Sequence, residues 1–302
     1  MKEQPKHPAV RSYILLLVTL VFWGSAFAVV RYGLVSPENP SGYHPGSLAL
    51  LRFLVAAVVA LGYLIITKKG LPLKKDLPRI ICAGFIGIAL YHTLFNYGEQ
   101  MVASGASAVL IGFAPVFVVI LSTIFLKEHL SLWGWLGVIC SLVGVIIVGM
   151  SSVEGFHIDI HALALLGSAL STAVLMVLSK SLLSRYSGTQ LTSYTIIVGV
   201  IPLFMFFPEL LRDISSTTWQ ATSAIAYLGV FPGFLAYATW NVALSRLSAG
   251  RLSVFMNIVP FIAALFAWAW LGEIPGTLVI LGGIVAIAGV LMVQLLGRRR
   301  EG

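Results

Sequence analysis

Charge is the scarcest property of this chain. Of its 302 residues, only 10% are Asp, Glu, Lys or Arg, and only 11 residues are acidic. Soluble domains typically have about a quarter of their residues charged, so this composition excludes an ordinary soluble protein. With 59% hydrophobic residues, the chain has the composition of a protein whose solvent is a lipid bilayer.

Cysteine is also scarce. The two cysteines, Cys82 and Cys140, both fall within long apolar runs, and neither belongs to a disulfide or metal-binding spacing. We interpret them as small buried side chains. The sequence therefore indicates neither a metal ion nor any other cofactor.

The motifs of ATP-driven pumps and of membrane metalloproteases are absent. The chain contains neither G-x-x-x-x-G-K-[ST] nor H-E-x-x-H, and no Asp or Glu lies in the middle of an apolar run. We therefore expect a protein that is not an enzyme, although Gly24-Ser25 or His92 on an intramembrane enzyme is the competing interpretation. His92 and Glu99 are the remaining pair that could titrate, so proton antiport, exchange and facilitated diffusion all stay open.

Long apolar runs are what the chain has in abundance. A helix needs roughly 20 apolar residues to cross a bilayer. The predicted spans are 12–34, 47–67, 80–98, 105–126, 132–150, 161–183, 190–208, 219–241, 250–271 and 276–296. The sequence thus predicts an all-α polytopic membrane protein with ten transmembrane helices, located in the inner membrane of the cell.

The distribution of Lys and Arg predicts the orientation. Basic residues accumulate in cytoplasmic loops. Of the 19 in this chain, sixteen fall on one predicted face, whereas Arg31, Arg52 and Arg212 fall near the other. Both termini are therefore expected in the cytoplasm, and the net charge of +8 reflects this topology rather than binding to nucleic acid.

An internal repeat relates the two halves of the chain. Residues 84–148 align without a gap on residues 229–293, an offset of 145, and the alignment matches residue types that random apolar segments seldom share. The matched pairs are Gly84 and Gly229, Asn96 and Asn241, Gly105 and Gly250, Pro115 and Pro260, Glu128 and Glu273, Gly137 and Gly282, and Gly144 and Gly289. Because each half contains five spans, an odd number, equivalent segments must cross the membrane in opposite directions.

This duplication predicts both the domain organisation and the class of function. A cytoplasmic N-terminus (1–11) precedes the first five-helix repeat (12–150), and the second repeat (161–296) is followed by a basic cytoplasmic tail (297–302). Inverted repeats recur in secondary transporters, whose substrate site lies near the membrane midplane between the repeats. We therefore predict transport of a small-molecule solute by alternating access, with a channel or a lipid flippase as alternatives on the same scaffold. The sequence is compatible with a monomer or a homodimer.

Several motifs resemble those of a known family. They are Trp23-Gly24, Arg52-Phe53, Pro115 followed by Glu128, and Gly137 with Gly144, together with the second copies Pro260, Glu273, Gly282 and Gly289. This set resembles the drug/metabolite transporter superfamily in its ten-helix EamA-type branch. The resemblance implies a central cavity lined by the first four spans of each repeat and a small metabolite as substrate, often an amino acid that is moved outward.

Polar stripes on the third and eighth spans indicate where the substrate binds. His92, Asn96 and Glu99 share one helix face, and polar side chains inside a membrane normally face protein or a water-filled cavity. The predicted substrate-binding residues are Trp23, Arg52, Tyr91, His92, Asn96, Thr172, Tyr237, Trp240, Asn241 and Asn257, and Pro115 and Pro260 are predicted to kink their helices.

Each of these predictions has a structural alternative. The paired asparagines can be interhelical hydrogen-bonding groups, and Thr172 can bond its own backbone. Arg52 can bind a substrate carboxylate, reach for the headgroups, or pair with Glu99 or Glu38. The prolines can simply shape the cavity.

Overall fold

The computed structural model describes residues 8–35, 39, 41–101, 107, 110–150, 160–271 and 276–296. Within these residues the chain is helical, apart from turns, short connections and one isolated bridge between Leu34 and Tyr43, which confirms the predicted all-α class. The predictions that concern Glu38, Gly105, Glu273 and the tail 297–302 lie outside the described residues.

The helices whose bounds lie within the described residues are numbered α1 to α14 in chain order. Their bounds are α1 Pro8–Gly33, α2 Pro45–Ile66, α3 Leu77–Gly84, α4 Tyr91–Glu99, α5 Ala114–Leu126, α6 Leu132–Met150, α7 Ile160–Leu182, α8 Gly188–Leu203, α9 Phe207–Ser216, α10 Trp219–Leu228, α11 Ala236–Leu244, α12 Ala249–Ser253, α13 Val259–Leu271 and α14 Thr277–Leu296.

Several of these helices join into longer membrane-crossing units. A π-helical segment, Phe85–Leu90, connects α3 to α4, and a second one, Gly229–Leu235, connects α10 to α11. Seven helical units among the described residues are long and apolar enough to cross a membrane, and three shorter apolar helices, Ala114–Leu126, Leu132–Ile147 and Ile280–Val293, accompany them. The protein is therefore a polytopic membrane protein.

Two predicted boundaries differ from the structure. The connection predicted after the seventh span, near residues 209–218, contains the helix α9, which has Pro208 in its first turn, where the missing N–H costs no hydrogen bond. The predicted span 250–271 is divided into α12, a 3₁₀ segment at Val254–Ile258, and α13. Apolar length alone does not reveal such changes of helix type.

Pro115 and Pro260 occupy equivalent places in two helices. Each is the second residue of its helix, α5 or α13. The regular helix is interrupted just before each of them, by the turn at residues 112–113 and by the 3₁₀ segment before α13. Proline favours this first-turn position because it has no N–H to donate.

The helices pack into a continuous bundle. Helix α2 packs on α8, α1 packs on α11 and α13, α7 packs on α4 and α5, and α6 packs along nearly its whole length on α14. This arrangement places α1, α4, α7 and α11 around the centre of the molecule, where the candidate site lies.

Candidate functional site

A cavity at the centre of the bundle brings together residues from both halves of the chain. Its volume, as space for the centres of water molecules, is about 80 Å³. The lining residues are Trp23, Ala26, Phe27, Arg52, Tyr91, His92, Phe95, Ile111, Gly112, Thr172, Leu175, Met176, Ser179, Tyr237, Trp240, Asn241, Met256, Val259 and Pro260. Most of the wall is therefore apolar or aromatic, with a small number of polar groups.

Arg52 is the cation of this cavity. It lies on α2 with 3% of its surface exposed, which is not the exposure of a side chain that reaches for the headgroups. Its Nη1 atom is 3.5 Å from Nδ1 of His92, and its Nε atom has no hydrogen-bond partner among the described residues. The guanidinium therefore retains donor capacity at the cavity wall.

His92 connects Arg52 to the second half of the chain. Because guanidinium nitrogens only donate, Nδ1 of His92 must be the acceptor in that contact. Its Nε2 atom then carries the proton and donates to the hydroxyl of Tyr237, 3.1 Å away. The hydroxyl proton of Tyr237 is left to donate to another acceptor, such as a ligand atom in the cavity.

Aromatic rings form the walls on either side of this polar chain. Trp23 of α1 packs against Trp240 with the ring centroids 5.0 Å apart, and against Tyr237 at 5.5 Å. Tyr91 stacks on Phe95 at 5.8 Å, and Phe95 in turn meets Phe27 edge-on at 5.5 Å. Rigid aromatic walls of this kind suit the apolar part of a small organic solute.

Three further polar side chains border the cavity. The Asn241 amide donates to Oγ1 of Thr192 at 2.8 Å, which fixes the orientation of the amide. Thr172 and Ser179 lie on the same helix, α7, and Oγ of Ser179 has no hydrogen-bond partner in the part of the chain that the structure describes. These groups can supply hydrogen bonds to a solute.

The structure places two predicted site residues outside the cavity wall. Asn96 donates from Nδ2 to the carbonyl oxygen of Pro45 at 2.9 Å, and Asn257 donates to Oγ of Ser141 at 2.8 Å. Both side chains are essentially fully buried between helices. The structure therefore does not bring Asn96 and Asn257 to the cavity wall, since both amides bond groups of neighbouring helices. Pro115 also lies off the cavity wall, whereas Pro260 is part of it.

Sequence reasoning missed several lining residues. Phe95 is the repeat partner of Trp240, at the offset of 145, and this pairing could have identified it. Phe27, Leu175 and Met176 carry no signal that distinguishes them from ordinary lipid-facing residues, because their role depends on which helix faces them.

The described residues contain no group of three or more His, Cys, Asp or Glu that could hold a metal ion. The polar groups of the cavity are one guanidinium, an imidazole, phenols, hydroxyls and an amide. This set can bind a solute by hydrogen bonds and charge.

Fold and cavity together define a class: a multi-pass membrane protein with an aromatic-lined cavity that carries a few polar groups at its centre. The sequence profile of the EamA-like transporter family matches residues 10–150 and 160–295. The chain therefore belongs to this family. It is a transporter of a small solute and not an enzyme, and in bacteria such a multi-pass protein resides in the inner membrane.

Similar proteins agree with this assignment. The chain is 34% identical to an uncharacterized transporter of Bacillus subtilis, YdfC, covering 90% of this chain and 87% of the relative. It is also 34% identical to a probable terminal-alkyne amino-acid exporter of Streptantibioticus cattleyicolor, covering 95% of each. A solved crystal structure with 17% identity superposes with a TM-score of 0.76 over 96% of this chain and 99% of that chain, which supports the fold.

Proposed function

We propose that this protein is a secondary transporter that exports an amino acid or a closely related solute by alternating access. The observation that carries the proposal is the buried guanidinium of Arg52 at the wall of an aromatic cavity. A guanidinium pairs well with a carboxylate, and the relative from Streptantibioticus cattleyicolor carries amino-acid export in its name. The proposed outward direction of solute transport is based on the name of that relative and on the motifs that resemble the family.

The proposed binding residues are those predicted side chains that line the cavity. They are Trp23, Arg52, Tyr91, His92, Thr172, Tyr237, Trp240 and Asn241. In this proposal Arg52 and the Tyr237 hydroxyl bind the carboxylate, Thr172 and Asn241 bind the polar remainder, and the aromatic rings enclose the side chain of the solute.

The size of the cavity supports a mechanism that includes a change of shape. A volume of about 80 Å³ corresponds to about three water molecules in the liquid, whereas pockets that hold small organic ligands usually exceed about 300 Å³. Solute binding therefore requires the surrounding helices to separate. Alternating access supplies that separation on each side of the membrane in turn.

We further propose that the helices form two inverted repeats of five spans each. Among the residues that the structure describes, the seven long apolar units and the three shorter helices together make ten. The bounds of α4 and α11 differ by 145 residues at both ends, and so do those of α5 and α13. His92 and Tyr237, equivalent positions of the two repeats, contact each other, as expected at an axis that relates the two halves.

Solute counterflow in proteoliposomes tests the proposed transport. Liposomes containing the protein and preloaded with an unlabelled amino acid should take up the same radiolabelled amino acid, and the uptake should saturate. Arg52→Gln should reduce that uptake at least about tenfold, because a charge-assisted hydrogen bond is worth about 1.5–3 kcal/mol. The matched control is Arg212→Gln, at an exposed arginine of α9.

The same assay distinguishes the alternatives. Uptake that rises in proportion to solute concentration without saturating would identify a channel, and movement of labelled lipid without solute uptake would identify a flippase. Equal uptake by the Arg52 and Arg212 variants would show that Arg52 does not bind the solute.

A further inference from the structure

A second, larger groove lies near one end of the bundle, away from the central cavity. Its volume is about 630 Å³. It runs from the end of α2 across the following connection to the face of α8, and we call it the lysine groove. Its lining residues are Leu61, Leu64, Ile65, Lys68, Lys69, Gly70, Leu71, Pro72, Leu77, Tyr194, Ile197 and Val198.

Hydrogen bonds hold the wall of the lysine groove in place. The Tyr194 hydroxyl donates to the carbonyl oxygen of Gly70, and the backbone N–H of Leu73 donates to the Tyr186 hydroxyl at 3.0 Å. Asp76, buried in the same connection, accepts from Tyr186 at 2.9 Å and forms an ion pair with Arg185. The connection is therefore anchored to α8 and its preceding turn, and the groove is already formed.

The end of α2 brings a lysine into a conformation that glycine usually adopts. Lys68 has φ of 51°, in the left-handed region, at the position where a helix commonly ends in glycine. A side chain at such a position is uncommon and costs conformational energy. Here the residue presents an ammonium group at the rim of the groove.

Neither Lys68 nor Lys69 has an acidic partner among the described residues. The acid of this connection, Asp76, is already paired with Arg185. Lys74 and Lys75 follow within the same connection and add to its positive charge. The groove therefore presents two uncompensated ammonium groups and attracts an anion.

Below the lysines the groove is apolar and open. Ile65 is 74% exposed and Leu71, although it lies in a connection and not in a helix, is 93% exposed. Large apolar side chains with this exposure, directly beside lysines, are typical of a surface at the boundary between headgroups and acyl chains. The groove is therefore matched to a ligand with an anionic head and an apolar tail.

The corresponding connection of the second half does not repeat this feature. Between α8 and α10 the chain runs through the 3₁₀ segment Phe204–Phe206 and α9, where the charged residues are Glu209, Arg212 and Asp213 and no lysine occurs. The lysine pair is therefore confined to the end of the bundle that the distribution of Lys and Arg assigns to the cytoplasm.

We propose that the lysine groove binds an anionic phospholipid. The lipid phosphate lies between the ammonium groups of Lys68 and Lys69, and an acyl chain follows the apolar wall formed by Leu61, Leu64 and Val198. The cytoplasmic leaflet is rich in anionic lipid and attracts basic segments next to membrane helices. Bound lipid joins the end of α2 to α8 and stabilises the folded protein by mass action.

Thermal unfolding of the delipidated protein in detergent tests this site. Titration with phosphatidylglycerol should raise Tm at a much lower lipid concentration than phosphatidylcholine with the same acyl chains, and inorganic phosphate should leave Tm unchanged. The midpoint of this titration is the lipid concentration that gives half of the full rise in Tm. In the double variant Lys68→Gly/Lys69→Gln, the phosphatidylglycerol midpoint should rise roughly 30-fold, because each lysine contributes about 1 kcal/mol and about 1.4 kcal/mol corresponds to a tenfold change. Glycine suits the left-handed backbone at position 68, so this variant should retain its fold.

The matched control changes the same number of charges in the same connection. Lys74→Gln/Lys75→Gln alters two exposed lysines that do not line the groove, and its midpoint should stay within about threefold of the original protein. Equal midpoints for the two lipids, equal shifts in the two double variants, or stabilisation by phosphate alone would each overturn the proposal. Lys69→Arg, which retains the charge, should bind phosphatidylglycerol as the original protein does.

Discussion

A row of three polar side chains, Arg52, His92 and Tyr237, lies at the cavity between the membrane-spanning helices. Ionisable side chains inside a bilayer are costly and usually mark a solute pathway or pair with one another. Here the guanidinium contacts a histidine at 3.5 Å, and that histidine donates to a tyrosine from the other half. These three side chains orient hydrogen-bond donors toward the cavity, which is the arrangement that a carboxylate-bearing solute needs.

Trp240 allows the aromatic wall to be tested. Trp240→Ala removes the ring that packs on Trp23 and should raise the solute concentration that half-saturates counterflow by about two- to tenfold, because an aromatic pair is worth about 0.5–1.5 kcal/mol beyond the area it buries. Trp219→Ala, at a position that is 74% exposed, should leave counterflow unchanged. Unaltered counterflow in a folded Trp240 variant would contradict the cavity assignment.

Tyr237→Phe isolates the role of a single hydroxyl group. The substitution keeps the ring and removes the group that accepts from His92. The solute concentration that half-saturates counterflow should therefore rise about three- to tenfold. Tyr227→Phe removes a hydroxyl that bonds Ser25 at 2.7 Å, at a residue that does not line the cavity, and serves as the control. Counterflow that is equally affected in both variants would indicate a loss of stability and not of binding.

Helices α6 and α14 show how small residues set the distance between two elements. Apolar side chains do not drive helices together in lipid, so close backbone packing at glycine becomes important. A Cβ at Gly144 would lie 2.6 Å from the carbonyl oxygen of Gly282, and a Cβ at Gly289 would lie 2.6 Å from that of Gly137. Both approaches leave no space for a side chain.

Gly144→Leu should therefore prevent α6 and α14 from packing. The cost should be about 3 kcal/mol or more, because backbone atoms of the facing helix cannot move aside, and thermal unfolding in detergent should reveal it as a lowered Tm. Gly62→Leu is the control, since a Cβ at Gly62 meets nothing within 4 Å. A Gly144 variant that keeps its Tm but loses counterflow would assign this face a direct role in transport.

At each end of the bundle, a buried aspartate bonds a segment from the other half of the chain. At one end Asp76 binds Arg185 and Tyr186. At the other, Asp213 accepts from the backbone N–H of His44 and from its Nδ1, both at 2.9 Å. Each aspartate joins a connection of one half to a connection of the other half, so the region where α2 packs on α8 is fixed at both ends.

The proposed orientation of the whole molecule leads to a labelling experiment. In a background with Cys82→Ala and Cys140→Ala, the variant Lys74→Cys should resist a membrane-impermeant maleimide in intact cells, because basic loops stay in the cytoplasm. Ser215→Cys, exposed on α9 at the other end, should react. The reverse pattern would contradict the proposed cytoplasmic position of both termini.

The sequence by itself determined the membrane class, most of the helices and the family. Lipid cannot satisfy backbone polar groups, so long apolar helices are required, and the motifs at Trp23-Gly24 and Arg52-Phe53 remain readable without a structure. Which polar residues face the cavity was decided only by the tertiary structure. Phe95 lines the cavity while Asn96 bonds Pro45, because adjacent residues of a helix point about 100° apart and only the neighbouring helices decide which direction is the cavity.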